Sequence, residues 1–203
     1  MGSHWTRDSV YRRSVKEGYR ARSAYKLIDI NNRFNIIRKT DNVLDLGAAP
    51  GSWLQVLTGI TNGIVVGVDL NPIAHIDNVL TIVGDFTTDE IQNEIRKCMP
   101  IVNVIVCDAS PHLSGSKVYD HARIRDLNEN TLTLTEKLLK QGGNLVMKSF
   151  RGTDLDEFLV QVKNRFYSLR LVQSVATRRG SSECYIVAKN FIGSANDDRK
   201  INN

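Results

Sequence analysis

The chain has 203 residues, of which 41% are hydrophobic and 24% are charged, a composition typical of one globular domain. No apolar run approaches the roughly 20 residues that span a bilayer, and no apolar signal-peptide core begins the chain, so we expect a cytoplasmic protein without a membrane partner. Three cysteines without a C-x-x-C pair and four scattered histidines predict neither a disulfide framework nor a metal site.

The net charge of +5 is distributed unevenly along the chain. The first 40 residues hold ten lysines and arginines against three acids, and Tyr11, Tyr19 and Tyr25 lie among them. Basic side chains with interleaved aromatic rings suit phosphate contact and base stacking, although a solvated leader explains the same charge. We expect a basic, partly flexible leader over 1–22, a single domain over 23–193 and a polar tail over 194–203.

Hydrophobic patterning predicts strands that alternate with helices. The predicted strands are 43–46, 64–69, 80–85, 102–108, 144–150, 169–176 and 184–190. The predicted helices are 23–32, 53–57, 88–97, 120–140 and 155–166. Gly142 and Gly143 are expected to end the fourth helix, and Thr153 with Asp156 resembles a capping box before the fifth. This order predicts an α/β fold, with a mostly parallel, seven-stranded sheet buried on both faces by helices.

Acidic residues recur where the predicted strands end. A single aspartate at such a position is commonly a turn former or helix cap, but a series of them favours a ligand site. In an open parallel sheet, ligands bind outside the carboxyl ends of the strands. The residues expected along this edge are Asp45, Asp69, Asp85, Asp108 and Lys148.

The loop after the first strand, Asp45 to Gly51, indicates the kind of ligand. It has glycines at 47 and 51 but lacks the G-x-G-x-x-G spacing that cradles a pyrophosphate, and the chain has no G-x-x-x-x-G-K-[ST] loop. Carboxylates accept hydrogen bonds from ribose hydroxyls and tolerate a cation, whereas they repel phosphate. The residues therefore favour S-adenosylmethionine over NAD or ATP, which argues against a nicotinamide oxidoreductase.

Three further charged residues are ambiguous when each is taken alone. Lys148, near the end of an apolar strand, needs a partner unless it reaches solvent. Lys26 suits the solvated face of a helix, and Glu183 suits the edge of a strand.

Six motifs, taken together, resemble the FtsJ (RrmJ) family of RNA ribose 2′-O-methyltransferases. The resemblance runs from about residue 10 to residue 191, and Ser52 stands where much of the family has a second glycine. The motifs are Arg22-Ser-Ala-Tyr-Lys26-Leu, Asp45-Leu-Gly-Ala-Ala-Pro-Gly51-Ser-Trp53, Gly84-Asp85-Phe, Asp108-Ala-Ser-Pro111, Met147-Lys148-Ser-Phe and Ser182-Glu183-Cys-Tyr.

The resemblance implies a Rossmann-like methyltransferase domain that uses S-adenosylmethionine. The implied catalytic tetrad is Lys26, Asp108, Lys148 and Glu183. The implied cofactor contacts are Gly51, Trp53, Asp69, Asp85 and Asp108, with Asp45 and Gly47 as second choices. The short chain looks most like the prokaryotic enzymes that modify a uridine of large-subunit (23S) ribosomal RNA. A transfer RNA methyltransferase and a non-catalytic RNA- or ribosome-binding module remain alternatives.

The substrate hypothesis assigns phosphate contacts to the basic leader and adds two arginines that precede the last predicted strand. The candidate RNA-binding residues are Arg12, Arg13, Lys16, Arg20, Arg22, Arg178 and Arg179. The acceptor must be RNA, because DNA lacks the 2′-hydroxyl. We expect a monomer that acts on ribosomal RNA in the large subunit.

Two roles are open for Lys148. As a general base it needs a neutral amine, which burial and the like charge of Lys26 favour and Asp108 opposes. Alternatively it stays charged and steers the hydroxyl lone pair toward the methyl group. Asp108 is assigned to orientation and to the charge of the cofactor, and Glu183 to the geometry of the amines or of the ribose.

Overall fold

The computed structural model describes residues 9–111, 117–152, 154–177 and 180–193. Its helices are α1 (Ser9–Lys16), α2 (Ala24–Phe34), α3 (Ser52–Ile60), α4 (Asp89–Cys98), α5 (Lys117–Leu138) and α6 (Leu155–Lys163). Its strands are β1 (Val43–Leu46), β2 (Val65–Asp69), β3 (Val79–Val83), β4 (Val102–Cys107), β5 (Leu139–Phe150), β6 (Phe166–Val172) and β7 (Glu183–Phe191). Thr153, Arg178, Arg179, residues 1–8 of the leader and the tail 194–203 lie outside the described residues.

The seven strands form one sheet in the order β3-β2-β1-β4-β5-β7-β6. Strands β1 to β5 pair in parallel, whereas β7 runs antiparallel to both β5 and β6. The prediction of a mostly parallel, seven-stranded sheet is confirmed. The order reverses direction between β1 and β4, so the carboxyl ends of these two strands flank a crevice where ligands bind in such folds.

Helices cover both faces of the sheet, as predicted. Residues of α2 and α3 pack on one face, in a buried cluster that includes Leu27, Trp53 and Tyr185. Residues of α4, α5 and α6 pack on the other face, in a cluster that includes Ile95 and Phe158. The strands between them contribute fully buried valines and leucines, which explains their continuous apolar sequence.

The entry into β5 differs from the prediction. The long helix ends at Leu138 rather than at residue 140, and Gly142 and Gly143 lie within the strand instead of stopping the helix. The register with β4 jumps there, from Val102 opposite Leu139 to Val104 opposite Asn144, so the extra residues bulge out of the pairing. Gly142 has a φ of 75°, a conformation that suits glycine in such a bulge.

Two other predicted strands also needed correction. Strand β6 begins at Phe166 rather than at residue 169, because Phe166 leaves the helical pattern and packs on Phe191 with ring centroids 5.3 Å apart. Strand β3 is an edge strand in which Leu80 and Val83 are exposed, so the expectation that both of its faces are buried is wrong. The leader, in which no helix was predicted, is helical over Ser9–Lys16.

None of the helices in the described part of the chain is long and apolar enough to cross a membrane.

Candidate active site

Lys26 and Glu183 form an ion pair that joins α2 to the start of β7. The Nζ atom of Lys26 lies 2.7 Å from Oε1 and 2.8 Å from Oε2 of Glu183. The two side chains are only 12% and 14% exposed. The structure therefore brings together two predicted site residues that are 157 positions apart in the sequence.

Lys148 and Asp108 form a second pair at the carboxyl ends of β5 and β4. The Nζ atom of Lys148 lies 3.2 Å from Oδ1 of Asp108 and donates to the backbone oxygen of the same residue at 2.5 Å. Their side chains are 8% and 16% exposed. The predicted need of Lys148 for a partner is thus met by Asp108.

Tyr185 connects the two pairs and was not among the predicted site residues. Its hydroxyl donates to Oδ1 of Asp108 at 2.8 Å, and the Nζ atom of Lys26 lies 5.8 Å from its ring centroid. Tyr185 lies opposite Lys148 in the β5–β7 pairing, so these two side chains share a face of the sheet. Glu183 lies two residues before Tyr185 in β7, and alternation along the strand puts it on the same face. Burial, and then the negative charge of Asp108, raise the pKa of Tyr185 well above its usual value, so the hydroxyl stays a donor.

Asp45 lies beneath the loop that follows β1 and is fully buried. Neither of its carboxyl oxygens has a hydrogen-bond partner among the described residues. Burial raises the pKa of Asp45 well above the usual range, and the charges of Asp108 and Asp69 add to this effect. Such a carboxyl group is costly to bury without a partner, which fits a site that receives a cation or a hydrogen-bond donor.

The loop requires glycine at position 47. Gly47 has a φ of 72°, and a Cβ atom there would lie 2.5 Å from the Cα atom of Ala109. The loop after β1 therefore touches the residue that follows Asp108, and this contact holds the ends of β1 and β4 together.

Asp69 holds the same loop from β2. Its Oδ2 atom accepts a hydrogen bond from the backbone of Ala49 at 2.9 Å, and its Oδ1 atom accepts one from the backbone of Asn71 at 2.8 Å. Trp53 is buried in the core, where its indole nitrogen donates to the backbone oxygen of Ser23 at 2.8 Å. The structure gives both side chains a supporting role, and their cofactor contacts stay predictions.

Asp85 lies after β3, away from the two ion pairs along the sheet edge. It is exposed, and its Oδ1 atom accepts a hydrogen bond from the backbone of Thr87 at 2.9 Å, as a turn-forming aspartate does. Its role toward a cofactor remains a prediction. Within the described residues no cluster of His, Cys, Asp or Glu side chains has the arrangement of a metal site.

The candidate RNA contacts divide into two groups. Arg12, Arg13 and Lys16 are exposed on α1, although Arg13 pairs with Glu17 at 2.7 Å. Arg20 and Arg22 instead donate to backbone oxygens of other segments, and Arg22 reaches Ala176 at 2.5 Å. The exposed residues of α1 are therefore better placed for phosphate contact than Arg20 and Arg22.

The same helix is anchored beside the candidate site. The hydroxyl of Tyr25 donates to Glu17 at 2.7 Å, and the Arg13 guanidinium lies 4.8 Å from the centroid of the Tyr25 ring. Burial raises the pKa of Tyr25 to about 12, and the hydrogen bond to Glu17 acts in the same direction. Because Lys26 follows Tyr25 directly, this network connects the basic surface of α1 to the first ion pair.

Comparison with known proteins gives consistent matches. The family model of the FtsJ-like methyltransferases matches residues 19–191. Two relatives named ribosomal RNA large subunit methyltransferase E are similar over nearly the whole chain. The relative from Methanocorpusculum labreanum is 68% identical and that from Methanosphaerula palustris 56%, and the alignments cover 98% and 97% of both chains. A crystal structure described as a ribosomal RNA methyltransferase from Plasmodium falciparum is 27% identical, with a TM-score of 0.78 over 86% of this chain and 100% of that chain.

Proposed function

The chain belongs to the FtsJ-like methyltransferase family, and on this premise we propose that it methylates a ribose 2′-hydroxyl of large-subunit ribosomal RNA with S-adenosylmethionine as methyl donor. Relatives that match nearly the whole chain carry the name of a large-subunit ribosomal RNA methyltransferase, which supports this substrate over transfer RNA. We expect the methylated nucleoside to be a uridine. We also propose that the protein acts in the cytoplasm and as a monomer.

The observation that carries the proposal is the convergence of two lysine–carboxylate pairs around Tyr185. A 2′-hydroxyl is a weak nucleophile, so its methylation requires alignment of the oxygen and help with its proton. Fixed alignment of reacting groups can contribute about 7–11 kcal/mol, and a general base adds roughly 10²–10⁴-fold in rate. Buried amines held by carboxylates at 2.7 Å and 3.2 Å are suited to alignment, and a lysine in its neutral form could also accept the proton. This arrangement favours an enzyme over a binding module with the same fold.

The acidic side chains at the carboxyl ends of β1, β2 and β4 fit S-adenosylmethionine. Asp69 and Asp108 bring carboxyl groups to the ends of β2 and β4, where they attract a cation, and together with Asp45 of β1 they accept hydrogen bonds from hydroxyl and amino groups. The unpartnered carboxyl of Asp45 supports a ligand with such donors. When bound, S-adenosylmethionine would supply the methyl group as an electrophile on a positively charged sulfur.

We assign to Lys148 the removal of the proton from the 2′-hydroxyl. Its amine is nearly buried and already makes two contacts with Asp108, so its position is fixed before substrate arrives. If Lys148 acts as a base, the rate of methyl transfer rises with pH as the amine loses its proton. A rate that stays flat from about pH 6 to about pH 9, with methyl transfer limiting, would assign Lys148 to orientation of the hydroxyl instead.

A comparison of RNA substrates tests the proposed function. We expect purified protein to transfer labelled methyl from S-adenosylmethionine to large-subunit RNA, free or in the subunit, taken from cells that lack this gene. The same RNA from cells that carry the gene is already modified and serves as the control. Efficient methylation of transfer RNA with none of ribosomal RNA would overturn the substrate, and binding of RNA without methylation of either would overturn the enzymatic proposal.

A further inference from the structure

Arg20 lies in the segment between α1 and α2 and reaches across the loop that follows β1. Its Nη1 atom donates to the backbone oxygen of Pro50 at 3.0 Å and to that of Ala74 at 2.8 Å. Its Nη2 atom donates to the backbone oxygen of His75 at 2.8 Å. One guanidinium therefore joins the loop after β1 to the segment after β2.

The backbone around Arg20 is fixed as well. Its amide donates to Oε1 of Gln55 at 2.8 Å, and Nε2 of the same glutamine donates to the backbone oxygen of Gly18 at 2.9 Å. Gln55 lies in α3, directly after the loop. The helix that follows the loop is thus connected to the segment that carries Arg20, which fixes the position of its backbone.

Gly51 shows how closely these parts meet. A Cβ atom at this position would lie 2.7 Å from Nη1 of Arg20, 2.9 Å from Cδ1 of Ile76 and 3.2 Å from Cγ2 of Ile73. The guanidinium and the segment after β2 therefore both rest on the loop residue that the resemblance assigns to the cofactor. A change in the position of either one changes the shape of the pocket at Gly51.

We propose that Arg20 is a positioning residue for the cofactor pocket and not an RNA contact. This inference rests on the proposed use of S-adenosylmethionine. Arg20 holds the loop after β1 against the segment after β2, so that the pocket keeps its shape before the cofactor binds and less ordering is required on binding. Three of its five N–H groups already donate to backbone oxygens, so these contacts hold the guanidinium in place before any phosphate approaches it.

Lysine at this position separates the two roles. Arg20→Lys keeps the positive charge that a phosphate contact needs, but an ammonium cannot hold three carbonyl groups in the geometry of the guanidinium fork. We expect the affinity for S-adenosylhomocysteine, measured by calorimetry, to fall by at least about tenfold in Arg20→Lys and Arg20→Ala. The KM for S-adenosylmethionine should rise in parallel while kcat at saturation changes little. The affinity for RNA and its salt dependence should match the wild type.

Arg38→Ala is the matched control, because Arg38 is an exposed arginine of the same region outside the site. Unchanged affinity for S-adenosylhomocysteine in Arg20→Lys, or loss of RNA affinity in Arg20→Ala with rescue by lysine, would overturn the inference. If Arg20→Ala does not fold, Arg20→Lys alone decides. A wild-type protein that binds no S-adenosylhomocysteine would contradict the proposed function itself, which is a distinguishable outcome.

Discussion

Replacement of Gly47 by alanine should destabilise the protein and displace Asp108. Alanine at a φ of 72° costs about 1–2 kcal/mol from backbone strain. The new Cβ atom would also lie 2.5 Å from the Cα atom and 2.7 Å from the backbone nitrogen of Ala109, so it meets backbone that cannot rotate away. Forced repacking of this kind costs about 1–3 kcal/mol, and the two effects together predict a loss of roughly 2–5 kcal/mol.

Two other glycines separate these contributions. Gly142 has a φ of 75° and open space around its Cβ direction, so Gly142→Ala should cost only the strain of about 1–2 kcal/mol. Gly59 lies within α3, also with open space, so Gly59→Ala should stabilise the protein by about 0.5–1 kcal/mol. Urea unfolding gives the three free energies, and methyl transfer should fall only in Gly47→Ala. A Gly47→Ala variant as stable as Gly142→Ala would refute the contact with Ala109.

Three further predictions concern the site and its surface. Tyr185→Phe removes the 2.8 Å hydrogen bond to Asp108, so we expect kcat to fall by about 10-fold or more at unchanged RNA affinity. An unaltered kcat would show that this hydrogen bond does not contribute to the reaction. Burial raises the pKa of Asp45 in the folded state, so without cofactor the free energy of unfolding of the wild type should fall relative to that of Asp45→Asn as the pH rises above the ordinary carboxyl range, by up to about 1.4 kcal/mol for each pH unit. A stability difference independent of pH would contradict the raised pKa. The affinity for RNA falls as the salt concentration rises, and the slope of log affinity against log salt concentration should become shallower in the double variant Arg12→Ala with Lys16→Ala, by about 0.7 for each phosphate that is no longer neutralised. An unaltered slope would show that α1 does not contact RNA.

The sequence was sufficient to predict the sheet and the residues at its carboxyl edge. Strands β1 and β4 are short, apolar and buried on both faces. Asp45 lies one residue before the end of β1 and Asp108 directly follows β4, so the position of each aspartate in its apolar run was enough to locate it. The placement of Lys26 and Glu183 in one site came only from the resemblance, because nothing local in either segment indicates a neighbour 157 residues away.

Other features could not be predicted, for physical reasons that differ. The hydrogen bonds of Arg20 end on backbone oxygens, which every residue carries and no sequence pattern marks. Gly142 and Gly143 are typical of a helix end, but here they serve a bulge at the start of β5. In the sequence, Tyr185 looks like an ordinary core residue. Its hydroxyl finds a partner only because the fold brings Asp108, at the end of a different strand, within hydrogen-bond distance.

Analysis of the methylated nucleosides by mass spectrometry tests the central claim most directly. Large-subunit RNA from cells that lack the gene is treated with S-adenosylmethionine and either the wild type, Lys148→Ala or Lys140→Ala, an exposed lysine of the same strand. The convergence of the two ion pairs predicts a 2′-O-methylated nucleoside with the wild type and Lys140→Ala. It predicts none with Lys148→Ala, although that variant still binds S-adenosylhomocysteine. A methyl group on a base, or full ribose methylation by Lys148→Ala, would contradict it.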